Sequence, residues 1–345
     1  MIDSIIKELN ERKNYLENAP LQSIYFGGGT PSIIKSVDIE KILNAIYQNF
    51  NIKSEIEITI ESNPEDLSKS KLNELKNIGI NRLSIGVQSF NDRELKMLNR
   101  SHNVLEAKSA IINAQEIGFE NLSIDLIYGI PNQSLITWEK NLDIIFDLLI
   151  QHFSAYELTV EKKTTLHYLL KNKKIVQLKE KKILEQYKLL IEKAKKHSFI
   201  NYEISNFGKE NFFSNHNIGY WTNEHYLGVG PSAHSFNGKS RRWNISSNIK
   251  YIQKIKNNTY YFETENLTLK QKYNELIFTK LRTIWGVNSK EIQEKFGKSV
   301  FTHFMQQIIK WENKKYIRKE KEIFLLTDLG KLFADQIASD LFIIN

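Results

Sequence analysis

Apolar and polar positions along this chain switch between a helical and a two-residue period, and the switches mark out successive elements. Residues 2–17 carry apolar side chains at helical spacing, 21–26 read as a short strand, and 38–50 return to helix. Glu55-Ile56-Glu57-Ile58-Thr59-Ile60 alternates polar and apolar residues as a strand does, and 68–77 is a predicted helix ending at Gly79. A strand follows over 82–87, then helices over 91–98 and 104–117, the second stopped by Gly118. Strands over 122–127 and 154–160 flank a helix over 134–149, and a long helix over 179–197 leads to a strand near 200–204.

This βα alternation predicts an α/β fold with a parallel sheet, closed as a barrel rather than left open. The chain starts on a helix, so a barrel built from it lacks its first strand and leaves an edge that needs pairing. A missing upstream segment is therefore expected. After about residue 260 the pattern changes to helices over 270–283, 289–295 and 300–312, then Tyr316-Ile317-Arg318, Ile323–Thr327 and a last helix. That order predicts a small winged-helix-like α/β module, serving as a packing lid rather than a DNA reader. The expected segments are 1–205, 206–262 and 263–345.

Composition narrows the function classes. At 345 residues the chain can bury a barrel-sized core and a smaller module. No apolar run nears the ~18 residues of a membrane span. The stretch Ile144–Ile150 is interrupted by Asp147, and the amphipathic start Met1–Leu9 carries acidic residues, unlike a signal peptide. A cytoplasmic location is expected, with peripheral membrane association left open. The net charge is +8, but the densest basic run, Lys171–Lys196, is interleaved with Glu180, Glu185 and Glu192 as on a solvated helix face. No RNP, zinc-finger or helix-turn-helix signature is present, so no nucleic-acid partner is expected.

The chemistry begins at Tyr25-Phe26-Gly27-Gly28-Gly29-Thr30-Pro31, where a strand runs into three glycines. Such a turn lets a ligand approach the backbone and lets N–H groups converge on it. It is neither G-x-G-x-x-G nor a P-loop, because Pro31 interrupts the one and no Gly-Lys-Ser/Thr completes the other. Glu61, Gln88, Arg100 and Asp125 recur at or just beyond successive strand ends, the face on which parallel barrels build their sites. The set suits a zwitterion and a ribose: Glu61 and backbone carbonyls for an ammonium, Arg100 for a carboxylate, Asp125 or Gln88 for hydroxyls.

With Glu61-Ser62-Asn63-Pro64-Glu65, Arg82–Phe90 and Asp125–Pro131, the glycine turn makes the chain resemble radical S-adenosylmethionine proteins of the coproporphyrinogen III oxidase group. His216-Asn217-Ile218-Gly219-Tyr220-Trp221 and Gly228–Phe236 resemble its HemW branch, the haem chaperones. The resemblance spans nearly the whole chain. It implies a partial (β/α)6 radical SAM barrel missing its first strand, and S-adenosylmethionine contacts at Gly28, Gly29, Thr30, Glu61, Gln88, Arg100 and Asp125. It also implies a [4Fe–4S] cluster held by three cysteines spaced C-x3-C-x2-C, whose reduction of S-adenosylmethionine gives a 5′-deoxyadenosyl radical.

The chain holds no cysteine. It is therefore expected not to bind the cluster, either because a segment before Ile2 is missing or because this member has dispensed with it. No catalytic residue is assigned, and enzymatic activity is left undecided. Haem and haem-accepting apo-proteins are the expected partners. His216, Tyr220 and Trp221 are candidate haem contacts, the alternative being that His216 and Asn217 bond a buried turn while Trp221 fills the core. The spacings of His216, His225 and His234 do not match a zinc site. Arg241, Arg242 and Asn244 are candidates for the haem propionates or belong to a surface loop. The competing activity is oxygen-independent coproporphyrinogen III oxidase.

Overall fold

The structure is a computed structural model and describes residues 1–344. Packing gathers the chain into two compact units, residues 1–22, 37–56 and 214–345 in one, and 23–36 and 57–213 in the other.

A seven-stranded sheet is built from β1 (Leu21–Phe26), β2 (Ile52–Ser62), β3 (Arg82–Gln88), β4 (Asn121–Tyr128), β5 (His152–Glu157), β6 (Ile200–Asn201) and β7 (Asn206–Gly208). Its order is β1-β2-β3-β4-β5-β7-β6, and it curls into a half-barrel, the partial radical SAM-type fold expected. Neighbours from β2 to β5 pair in parallel. The last two strands depart from the all-parallel expectation, because β7 runs antiparallel to both β5 and β6. The segment read as one strand over 200–204 breaks after Asn201, turns, and returns beside β5, where Ala155 N–H donates to Ser205 O at 2.8 Å.

Alternation along the strands divides the sheet into two chemically different faces. Leu83, Ile85, Val87, Ile124 and Leu126 are fully buried, and Leu72, Leu75, Ala107, Ile111, Leu142 and Ile145 are the buried positions of the intervening helices. The other face is polar. Registers align Glu61 with Ser84, Ser84 with Ser123, and Asp125 with Ser154. Deeper along this face the His152 ring meets Ser123 Oγ at 2.7 Å, Tyr202 Oη at 2.8 Å and Arg82 Nη2 at 3.4 Å.

In the other unit β8 (His234–Phe236), β9 (Ser240–Asn244) and β10 (Phe262–Asn266) form an antiparallel sheet, strands that the sequence pattern did not signal. A second small sheet joins β11 (Val287–Asn288), β12 (Ile317–Glu320) and β13 (Ile323–Leu326) in the order β11-β13-β12. The two helices expected over 289–295 and 300–312 both form within Ser289–Asn313, and Gly297, whose φ of +85° is not helical, separates them. The first helix is shorter than expected. It ends at Glu11, and Glu17 and Asn18 take left-handed φ values in the turns that follow.

That helix carries a buried ion pair. Glu8, fully buried, accepts from Arg12 Nη1 at 3.0 Å, Asn244 Nδ2 at 2.8 Å, Gly230 N at 3.0 Å and Tyr251 Oη at 2.5 Å. Arg12 also donates to Gly228 O at 2.9 Å and Ser235 Oγ at 2.9 Å. The Gly228–Phe236 motif thus closes around a charge pair that belongs to the first helix. Removing one partner of such a pair strands the other charge out of water, at about 3–5 kcal/mol. Glu8→Ala is expected to lower the unfolding free energy, read from a urea titration, by that order. Glu8→Leu combined with Arg12→Met should recover most of the loss, and a single variant as stable as wild type would contradict the assignment.

Candidate functional site

The glycine turn leaves the end of β1 and is tied to the end of β2 by one carboxylate. Glu61 Oε1 accepts from Tyr25 Oη at 2.8 Å and Glu61 Oε2 from Gly28 N at 3.0 Å. Burial, and secondarily Glu61, raise the Tyr25 hydroxyl above its ordinary pKa, so it stays a proton donor to the carboxylate. A Cβ on Gly27 would lie 2.6 Å from the Tyr25 ring, and Gly28 takes φ +103°. Gly29 has no atom within 4 Å of where a side chain would start, which leaves its face open.

This open face belongs to a cleft of about 260 Å³ lined by Gly29, Thr30, Glu61, Gln88, Arg100 and Asp125 together with Asn63, Ser84 and Gly86. Six of the seven expected contacts therefore line one space, and the seventh, Gly28, touches it through its bond to Glu61. Arg100 is held by one nitrogen, Nη2, which donates to Asn63 Oδ1 at 3.1 Å and Gly86 O at 3.0 Å. A Cβ on Gly86 would sit 2.9 Å from Gln88 Nε2 and 3.1 Å from Arg100 Nη2, so a side chain there would press on the ends of both.

Asp125 stands on β4 with Ser84 Oγ at 3.4 Å from its Oδ2. Burial raises its pKa to about 6, against the hydrogen bond from Ser154 and the charge of Arg82; the Glu61 charge adds to the rise. Below the cleft, burial and then Arg82 hold the His152 pKa well under the ordinary imidazole value.

His216, Tyr220 and Trp221 lie together on the helix Asn215–Trp221, in the compact unit that does not contain the cleft. The His216 and Tyr220 rings meet edge-on at 4.9 Å, and Tyr220 meets Tyr226 at 4.7 Å. Tyr220 is 42 % exposed, and no residue of this helix is fully buried. Trp221 is half-buried rather than a core side chain. Arg241 pairs with Glu275 at 3.0 Å, Arg242 lies over the Phe262 ring at 3.1 Å, and Asn244 serves Glu8. Among the described residues no three or more His, Cys, Asp or Glu side chains are grouped to hold a metal ion. With no thiolate in the chain, the residues present do not fit an iron–sulfur cluster.

Residue reasoning missed Asn63, Ser84 and Gly86 as parts of the cleft and Tyr25 as the partner of Glu61 beside it. All four lie inside the stretches that carried the resemblance, and Ser84 and Gly86 share the inward register of Gln88 on β3. The half-barrel with its glycine turn and polar strand ends defines a radical SAM-class protein. The Radical SAM superfamily model matches residues 3–145, and the HemN C-terminal domain matches 267–333. The chain is 34% identical to the heme chaperone HemW of Bacillus subtilis, over 92% of this chain and 84% of that protein. It is 30% identical to the heme chaperone HemW of Haemophilus influenzae, over 98% of this chain and 87% of that protein. The solved structure of coproporphyrinogen III oxidase (HemN) from Escherichia coli, a radical SAM enzyme, superposes with a TM-score of 0.83. It covers 99% of this chain and 82% of that one at 20% identity, a likeness of fold. The chain belongs to the HemW family.

The raised Asp125 and depressed His152 pKa values oppose each other in stability. Asp125 keeps its proton up to about pH 6 when folded but loses it near 3.8 when unfolded, so its contribution is present below 3.8 and lost as pH rises through 6. His152 is protonated in the unfolded chain below about pH 6.5, so its contribution is lost as pH falls below that value. Asp125→Asn is expected to raise the urea midpoint of the unliganded protein at pH 7.5 and to leave it unchanged at pH 3.5. An equal effect at both values would refute the assignment.

Proposed function

We propose that this protein is a haem chaperone whose strand-end cleft holds S-adenosylmethionine. The observation that carries the first part is 30–34% identity, over more than nine-tenths of the chain, to proteins that are heme chaperones. The cleft supports the second part. Each Glu61 oxygen keeps a second lone pair for an ammonium, and Arg100 keeps Nε and Nη1 for a carboxylate. Asp125 and Gln88 face hydroxyls, and the open backbone from Gly28 to Thr30 lets a ligand lie against it. S-adenosylmethionine supplies a deoxyadenosyl radical only when a reduced cluster cleaves it, and this chain's residues offer that cluster no ligands.

Haem is the cargo. His216 offers an imidazole to iron, and Tyr220 and Trp221 offer ring faces to the macrocycle from the same short helix. The recipients are apo-proteins that take haem from it. Among the described residues no helix is long and apolar enough to cross a membrane, so the reading involves no span.

Titrating haem and following its Soret band is expected to show saturable binding, with His216→Ala weakening it at least about tenfold, the worth of one good ligand contact. Unchanged affinity in that variant would remove His216 from the haem contacts. Turnover of coproporphyrinogen III to its decarboxylated product by the same chain would overturn the chaperone reading in favour of the oxidase.

A further inference from the structure

The cleft depends on one backbone feature that its lining residues do not explain. Gln88, which faces the cleft, has φ +69°, a left-handed value that a long side chain rarely adopts. The Ser89 N–H donates back to Val87 O at 2.9 Å, closing a three-residue γ-turn with Gln88 at its centre. The strand register shifts here, between Ile85 and Gln88. Strain of this kind persists only where neighbouring groups hold it.

Two groups of contacts do so. On one side Ser89 Oγ donates to Glu94 Oε2 at 2.5 Å and Phe90 N–H to Asn141 Oδ1 at 2.8 Å, all buried. On the other side stands His102, 3 % exposed. Its Nε2 lies 3.1 Å from the same Val87 O, and its Nδ1 lies 3.1 Å from Glu65 Oε2. A carbonyl only accepts, so the Nε2 proton goes to Val87, which then uses both lone pairs. His102 lies two residues from Arg100, and Glu65 lies two residues from Asn63, which accepts from Arg100. The loop around residue 100 is thus pinned twice to the segment Glu61–Glu65, and the second pin fixes the peptide that aims Gln88.

We propose that His102, oriented by Glu65, is a positioning residue that holds the strained Val87–Gln88–Ser89 turn and so presents Gln88 to the ligand of the cleft. It touches no ligand itself. The proposal rests on the reading of the cleft as an S-adenosylmethionine site. If His102 acts through Gln88, its loss has little left to change once the Gln88 side chain is gone. A purely structural role would instead give losses that multiply.

The test is a double-mutant cycle on the full chain, with S-adenosylhomocysteine as the calorimetric probe and melting temperature as the check on folding. His102→Ala is expected to weaken binding about tenfold in the wild-type background and less than about threefold in Gln88→Ala. His102→Gln, which keeps a donor for Val87 O, should recover part of the affinity, and it replaces the alanine variant in the cycle if that variant does not fold. Equal losses in both backgrounds, or no loss in either, would overturn the proposal while leaving the cleft as the ligand site. Failure of the wild-type chain to bind the probe would overturn both.

Discussion

The Glu61 carboxylate is the contact on which the site depends. It joins the hydroxyl of Tyr25 on β1 to the backbone N–H of Gly28, and so fixes the glycine turn against the end of β2. A loop of three glycines loses more conformational entropy on ordering than any other tripeptide, so an ordered turn needs such an anchor. One charge-assisted bond to a backbone N–H and one to a half-buried phenol supply it. The anchor also sets the chemistry, because it points a carboxylate and an open stretch of backbone into the same 260 Å³ space. Asn63, two residues beyond Glu61, then receives Arg100, and the cationic side of the cleft is positioned by the same segment.

A polar inner face has a cost that the barrel meets by pairing. Arg82, buried to 2 % exposure, stands between Glu57 and His152, and its charge also lowers the Asp125 pKa against the larger effect of burial. Neutral His152 leaves Arg82 the only cation of its immediate group, since burial keeps the ring deprotonated. The cleft therefore rests on a floor that is polar rather than greasy, with His152 in contact with Ser123, Tyr202 and Arg82. In the other compact unit Glu8 and Arg12 follow the same logic: a buried charge pair is kept because five further groups satisfy it.

Much of this was legible in the residues. The two periods located β1 to β5 and the helices between them, because stretches such as Leu83, Ile85 and Val87 on β3 alternate buried apolar residues with polar ones. Helix Thr165–Lys171 escaped notice because its seven residues are too few for Leu166, Leu169 and Leu170 to establish a helical period. Strands β8 to β10 escaped because Ser-Arg-Arg-Trp-Asn on β9 carries no period-two signal, although β8 pairs with it as a local hairpin. The antiparallel return of β7 depends on a turn after Asn201 that strand propensity does not encode. Six of seven expected cleft residues came together because strand ends converge by topology alone. His102 was not found, since a lone histidine in a loop has no pattern and its meaning lies in the φ of Gln88.

The cleft and the absent thiolates make a specific combination. The groups suited to a zwitterionic nucleoside are in place, while the residues present supply no ligands for the cluster that would act on it. Ligand binding at the strand ends is thus the central claim, and it is separable from radical chemistry. Determining the structure of the chain with S-adenosylmethionine at saturating concentration addresses it directly. The account predicts density over Gly28–Thr30 with Glu61, Gln88, Arg100 and Asp125 in contact; an empty cleft, or density elsewhere, would contradict it.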